Sequence, residues 1–166
     1  MKIIEPYKGI SEVEYIFEYE DCDTFDHLEK ELCRQIYAVC YIKNSEDIII
    51  VHNGKKDTWG LIGGTIELGE SFEETLRREV REEGNLELLK WKPVGVQKII
   101  DTRDGSHIYQ LRAVCKARAF GKFEQDPAGS VDEIAVINPN DYKKYFDWGG
   151  IGEQIFNRAE DLITSL

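Results

Sequence analysis

Residues 64–86 read GTIELGESFEETLRREVREEGNL, and this stretch decides the fold. Its middle part, SFEETLRREVREE, contains neither Gly nor Pro and predicts a helix. Ser71 and Glu74 have the spacing of a capping box, in which each side chain accepts a hydrogen bond from the other residue's backbone amide. Gly84 and Asn85 follow at once, and both residue types tolerate the left-handed conformation that ends helices. The helix is therefore marked at both ends.

Around this helix, several segments have the composition or periodicity of regular structure. They are a strand pair QIYAVCYI and DIIIVH (35–42 and 47–52), two or three strands within 86–116 that turn at Asp104-Gly105, a short strand at 134–137 and a closing amphipathic helix at 151–166. We expect one globular domain of the α/β (α+β) class, with its core at 35–166. Residues 1–34 contain a strand pattern, VEYIFEY, and a short helical pattern, FDHLEKELC, and are expected to form an N-terminal extension packed on that core.

The composition of the chain excludes some classes of function. The 166 residues are 42% hydrophobic and 32% charged, with a formal net charge of −11 and no apolar run of the ~18 residues that a membrane span needs. The acidity argues against binding to large nucleic acids, whose recognition depends on Lys and Arg. The four cysteines occur singly, which favours free thiols in a reducing cytoplasm. A small phosphorylated substrate remains compatible with this charge if divalent cations neutralise it.

The carboxylates of the predicted helix are distributed unusually. On a helical wheel the apolar stripe is formed by Phe72, Leu76 and Val80. Glu79 and Glu83 fall inside that stripe, and Glu82 lies beside it. Three carboxylates this close must be neutralised by protonation, by arginine or by a metal ion, and magnesium prefers oxygen ligands. The alternative is a glutamate-rich solvated helix that curves over the core.

Three glycines precede the helix. We expect Gly63, Gly64 and Gly69 in the loop that enters it, where missing side chains let backbone groups approach a ligand or metal closely. A plain tight turn is the other interpretation.

Taken together, Gly64, five residues, Glu70, seven residues and then Arg78-Glu79-Val80-Arg81-Glu82-Glu83 with an apolar Leu86 resembles the Nudix box. The resemblance implies an α/β/α sandwich with a mixed sheet over residues 35 to 160. It also implies a metal-dependent hydrolase that cleaves a phosphoanhydride in a nucleoside diphosphate linked to another group. Two positions depart from the family pattern, since Asn85 stands for the usual Gly and Ile62 for a frequent Pro.

Roles for individual residues follow from that resemblance. Glu79, Glu82 and Glu83 would bind Mg²⁺, or Mn²⁺ as a substitute, with a backbone carbonyl of Gly63 or Gly64. Arg78 would hold the glutamates, and Glu70 would support the junction between loop and helix. A metal-activated water would attack one phosphorus of the anhydride.

The remaining site residues are less constrained by the pattern. For an additional base or ligand we choose Glu133 among the later acidic residues Glu124, Asp126, Asp132 and Glu133. Aromatic side chains that could stack on a base are Trp59, Phe123, Tyr109 and Trp148. A nucleoside triphosphate or a nucleotide sugar is the expected substrate class, and a homodimer is a family-level expectation. The alternative function is a nucleotide-binding sensor with negligible turnover.

Overall fold

The computed structural model describes residues 1–8, 12–122 and 131–166. The strands of this part of the chain are β1 (Lys2–Lys8), β2 (Glu14–Asp21), β3 (Cys33–Ile42), β4 (Ile48–Asn53), β5 (Thr58–Thr65), β6 (Leu86–Asp101), β7 (His107–Ala119) and β8 (Val131–Ile137). The helices are α1 (Phe72–Gly84) and α2 (Gly149–Ile163), with single 3₁₀ segments at Lys30–Leu32 and Pro139–Lys144. Neither α1 nor α2, the helices of the described ranges, is long and apolar enough to cross a membrane.

All eight described strands belong to one mixed sheet. Their order is β1-β2-β6-β7-β3-β5-β4-β8, with a further short pairing between β3 and β4. Neighbouring strands are antiparallel except β3 and β7, which run parallel with Ile36 opposite Leu111. The predicted strand pair and the strands within residues 86–116 are thus present, and the latter are β6 and β7.

The two faces of the sheet carry separate apolar clusters. On one face Leu76 and Val80 of α1 are fully buried in a cluster that includes Ile36. On the other face Ile155 and Ala159 of α2 are fully buried. The expected α/β/α sandwich with a mixed sheet is confirmed.

Helix α1 begins and ends as its sequence predicts. The Ser71 hydroxyl accepts from the Glu74 amide, and the Glu74 carboxylate accepts from the Ser71 amide at 2.7 Å. Asn85 takes the left-handed conformation with φ 51°, so asparagine performs the role of the glycine that the family pattern usually has there.

Two local predictions are wrong. Gly63 and Gly64 lie within strand β5 rather than in the loop that enters α1. The expected helix at residues 25–33 is reduced to the 3₁₀ segment Lys30–Leu32, because Phe25 is buried against Phe72 and Trp91 and Cys33 already begins β3. Packing overrides local propensity in both cases.

The N-terminal hairpin extends the sheet. Strand β2 pairs with β6 from Tyr15 opposite Asp101 to Asp21 opposite Gly95. The Glu5 carboxylate lies at the N-terminus of α2, so near that a Cβ on Gly150 would be 3.0 Å from it. A carboxylate at a helix N-terminus is favourable, and this contact joins the hairpin to α2.

Candidate active site

Glu79 is seated directly against strand β5. Only 8% of the residue is exposed, and a Cβ added to Gly64 would lie 2.5 Å from its Oε1 atom. Gly64 therefore lacks a side chain where the carboxylate needs the space. Gly63 has a different reason, since its φ of 140° and the 2.2 Å approach of a Cβ to the Ile36 carbonyl exclude any side chain.

Arg78 connects the carboxylates of this region. Its Nη1 donates to Glu79 at 2.7 Å and to Glu82 at 3.3 Å. Its Nε and Nη2 donate to the two oxygens of Glu70 at 2.7 and 3.0 Å, and Nη2 also donates to the Thr65 carbonyl at 2.9 Å. One guanidinium thus joins the end of β5, the loop before α1 and two glutamates of α1.

The charges of this network stabilise each other. Hydrogen bonds from Arg78 and Thr75 lower the pKa of Glu70 to about 2, and the bonds to Glu70 and Glu79 raise the pKa of Arg78 above its ordinary value. Glu70 also accepts from the Glu67 amide at 3.1 Å, which closes the loop. Hydrogen bonds thus join Glu70, Arg78 and Glu79 at the junction between the loop and α1, and the roles expected for Arg78 and Glu70 stay predictions.

Among the glutamates of α1, Glu83 lines a large cleft between the sheet and the aromatic residues around Trp148. Its carboxylate accepts a hydrogen bond from the Gly63 amide at 2.9 Å. The positive φ of Gly63 lets the strand bend locally, which turns this amide toward the helix. Gly63 is thus a backbone donor to Glu83 in this conformation, whereas the sequence predicted it as a carbonyl ligand.

The donor chemistry suits a divalent cation, although the side chains are not gathered around one point. Glu79, Glu82 and Glu83 offer the carboxylate oxygens that Mg²⁺ and Mn²⁺ prefer. Within residues 1–8, 12–122 and 131–166 no three Asp, Glu, His or Cys side chains form a metal-holding group. Arg78 donates to two of these glutamates and the Gly63 amide donates to the third, so each carboxylate has a hydrogen-bond donor.

A cleft of about 940 Å³ opens beside Glu83, and most of its apolar lining belongs to the cluster on the α2 face of the sheet. Trp59 of β5 and Trp148, just before α2, line one part of it. Tyr7 and Phe17 of the N-terminal hairpin stack on each other at 4.6 Å and line another part. The cleft is large enough for a nucleotide and rich in aromatic rings.

The other predicted residues are more scattered. Trp59 lines the cleft as expected, but Tyr109 packs with the apolar cluster on the α1 face, because residues of opposite parity in β7 face opposite sides of the sheet. This position does not support a substrate-stacking role.

Glu133 is exposed on the edge strand β8 opposite His52 and does not line the cleft. Phe123, with Glu124 and Asp126, lies outside the described residues.

Sequence reasoning missed Arg112 on the floor of the cleft. Arg112 lies in the middle of β7 and only 4% of it is exposed. The signal was present in the segment LRAVC (111–115), where a single charged residue interrupts an apolar strand. A charge in such a place is costly unless it has a partner.

Comparison with known proteins identifies the family of the chain. The family model of the NUDIX domain matches residues 34–155. The chain belongs to the NUDIX family. The matched range contains β4 to β8, α1 and all of β3 except Cys33, and therefore Gly64, Arg78 and the three glutamates.

One curated relative is similar over a smaller range. A Nudix hydrolase of Deinococcus radiodurans is 32% identical over 84 residues, which are 48% of this chain and 39% of that protein. The alignment with the NUDIX relative therefore spans less than half of its length.

Solved structures share the fold at low sequence identity. The Bacillus subtilis pyrophosphohydrolase BsRppH, in a mutant form, has a TM-score of 0.68 at 12% identity over 95% of this chain and 96% of that one. A Caenorhabditis elegans Ap4A hydrolase in a binary complex has a TM-score of 0.57 at 12% identity, covering 81% and 99%. A NUDIX hydrolase from Nitrosomonas europaea has 0.53 at 16% identity, covering 77% and 89%. These likenesses show that the chain shares its fold with these solved structures.

Proposed function

We propose that this NUDIX protein is a hydrolase that uses Mg²⁺, or Mn²⁺ in its place, to cleave a phosphoanhydride bond of a small nucleotide. The substrate would be a nucleoside triphosphate or a nucleotide sugar. The observation that carries the proposal is the placement of two helix glutamates. Glu83 lines a nucleotide-sized cleft, and four residues earlier Glu79 is fixed against Gly64 and by Arg78. A purely structural helix has no reason to bury this carboxylate beside a glycine.

The chain's own residues divide the work. Arg78 orients Glu79 and Glu82, and Glu70 fixes Arg78 in turn. Glu79, Glu82 and Glu83 would hold the cation, together with a carbonyl of Gly63 or Gly64. When bound there, a divalent cation would supply Lewis acidity and would make a bound water molecule acidic enough to act as the nucleophile at neutral pH. One of the helix glutamates would accept the proton of that water, since Glu133, the base that the sequence predicted, is exposed on β8 and does not line the cleft.

The cleft would bind the nucleotide. Trp59 and Trp148 offer flat apolar faces on which a base can stack. The hairpin of β1 and β2 adds Tyr7 and Phe17 to the wall, and the N-terminal extension would thereby take part in substrate selection.

The test is turnover of a panel of nucleoside triphosphates, dinucleotides and nucleotide sugars with Mg²⁺ or Mn²⁺, repeated after chelation. We expect turnover of one class that chelation abolishes. Glu82→Gln should lower kcat by at least about 100-fold with the circular dichroism spectrum unchanged, because a ligand charge is removed while the shape is kept.

The matched control is Glu73→Gln. Glu73 lies on the same helix, is half exposed and pairs with Arg77, so its loss should leave kcat within about twofold. Equal activity of Glu82→Gln and the native protein would refute the catalytic assignment. Absence of turnover across the panel, with nucleotides still raising the melting temperature, would replace the hydrolase by a nucleotide sensor.

A further inference from the structure

Arg112 occupies a central place in the sheet. Across the strands it lies opposite Tyr37 of β3 and Gly95 of β6, and Tyr37 in turn lies opposite Gly63 of β5. Arg112, Tyr37, Gly63 and Glu83 all line the same cleft. Since adjacent strands are about 4.8 Å apart, the backbone of Arg112 is roughly 10 Å from that of Gly63.

The guanidinium of Arg112 is buried with only part of its hydrogen-bonding capacity used. Nη2 donates to Gln97 and to Gln110, both at 2.8 Å. Nε and Nη1 are also buried, and neither has a hydrogen-bond partner. In the described part of the chain no carboxylate forms an ion pair with Arg112.

The surroundings keep this cation in place without neutralising it. The ring centroids of Tyr37 and Trp148 lie 5.4 and 5.7 Å from its Cζ atom, within the range of cation–π attraction. Burial lowers the pKa of Arg112 to about 10, which leaves it charged at neutral pH. A charged group held at the floor of a cleft, with three unpaired N–H groups on Nε and Nη1, is prepared to receive an anion.

We propose that Arg112 is the phosphate-binding residue of the cleft and receives a phosphate of a nucleoside triphosphate that lies away from the bond cleaved beside Glu79. This inference rests on the proposed function, since it selects one of the two substrate classes named there. The planar fork of arginine matches phosphate oxygens. Gln97 and Gln110 orient the fork, and the rings of Tyr37 and Trp148 exclude water around it.

The direct test uses inorganic tripolyphosphate in metal-depleted buffer, with the full chain and isothermal titration. Without a divalent cation, the titration measures Arg112 and not the glutamate site. We expect measurable binding by the native protein and a loss of at least about 100-fold for Arg112→Met, the size typical of losing one partner of a buried charge pair. Arg103→Gln is the control, because Arg103 is 65% exposed, pairs with Asp101 and lies outside the cleft lining. It should bind like the native protein.

A second measurement locates the anion without changing Arg112. The chain has three tryptophans, and Trp91 packs on the α1 face whereas Trp148 lies beside Arg112. In a protein that retains only Trp148, tripolyphosphate should change the fluorescence emission. In one that retains only Trp91 it should not. This measurement decides the question if Arg112→Met does not fold.

Each outcome separates the two proposals. Tripolyphosphate binding that Arg112→Met abolishes would support the phosphate site even if no nucleotide is hydrolysed. Native affinity in folded Arg112→Met, no binding by the native protein, or an unchanged Trp148 emission would overturn it, even if hydrolysis is found. A purely structural role of Arg112 predicts a lower melting temperature with unchanged anion affinity, which is again a refutation.

Discussion

Alanine at the adjacent glycines of β5 should have different effects, a loss of activity at Gly64 and a loss of stability at Gly63. At Gly64 the new Cβ would lie 2.5 Å from Glu79 Oε1, whereas ordinary contacts begin near 3.4 Å. The carboxylate must therefore move by about 0.9 Å, and a misplacement of about 1 Å can lower turnover by roughly 100-fold. At Gly63 the Cβ would instead meet the backbone of β3 at 2.2 Å, which no side-chain rotation can relieve.

The two variants should differ in stability as clearly as in activity. Gly64→Ala gains about 0.5 to 1 kcal/mol from reduced backbone freedom and loses about 1 kcal/mol from a weakened bond between Arg78 and Glu79. Its melting temperature should stay within about 3 °C of the native value. Gly63→Ala combines a strained φ with a backbone clash and should lose more than about 2 kcal/mol, which lowers the melting temperature by roughly 5 °C or more.

The assay measures kcat on the substrate found by the panel and the melting temperature by circular dichroism. Gly121→Ala is the control, because its Cβ would make only an ordinary contact of 3.6 Å with Asn85. A Gly64→Ala protein with native kcat and native stability would refute the claim that the position of Glu79 matters. A large loss of stability in Gly64→Ala would show that the Glu79 side chain cannot move aside.

Two further predictions concern protonation. Glu70→Gln should destabilise the protein by roughly 2 kcal/mol at neutral pH, because Arg78 loses a charged partner. Since the pKa of Glu70 falls from 4.5 to about 2 on folding, this contribution is present above pH 4.5 and lost toward about pH 2, where denaturant melts of the variant and the native protein should converge. The bond to Asp132, helped by Asp57, raises the pKa of His52 above 6.5. Its contribution is therefore complete below pH 6.5 and lost as the pH rises through the raised value, and His52→Asn should flatten that decline in melting temperature.

The sequence predicted best what is decided by short-range chemistry. Ser71, Glu74 and Asn85 set the ends of α1 through contacts within a few residues, so their spacing was sufficient. The positions of Glu79 and Arg78 on the helix also follow from its period.

Features that depend on contacts between distant parts of the chain could not be predicted from sequence spacing. Gly63 and Gly64 are poor strand residues by propensity, and they lie in β5 because β3 and Glu79 approach them closely. Tyr109 was assigned to the cleft because its side of β7 could not be known without the register. Arg112 was overlooked since its unpartnered guanidinium becomes evident only when the sheet and the aromatic walls are assembled around it.

The pairing of β2 with β6 has a consequence for how the molecule is made. Tyr15 pairs with Asp101, and Cys33 pairs with Tyr109. The sheet can therefore form only after these distant parts of the chain have come together. Such non-local pairings make folding slow compared with helical proteins, and during synthesis β2 emerges long before its partner. Glu14, Glu18 and Glu20 alternate with the apolar residues of that strand. Their charges protect a free edge against self-association, so part of the chain's acidity can be understood as protection of the nascent protein.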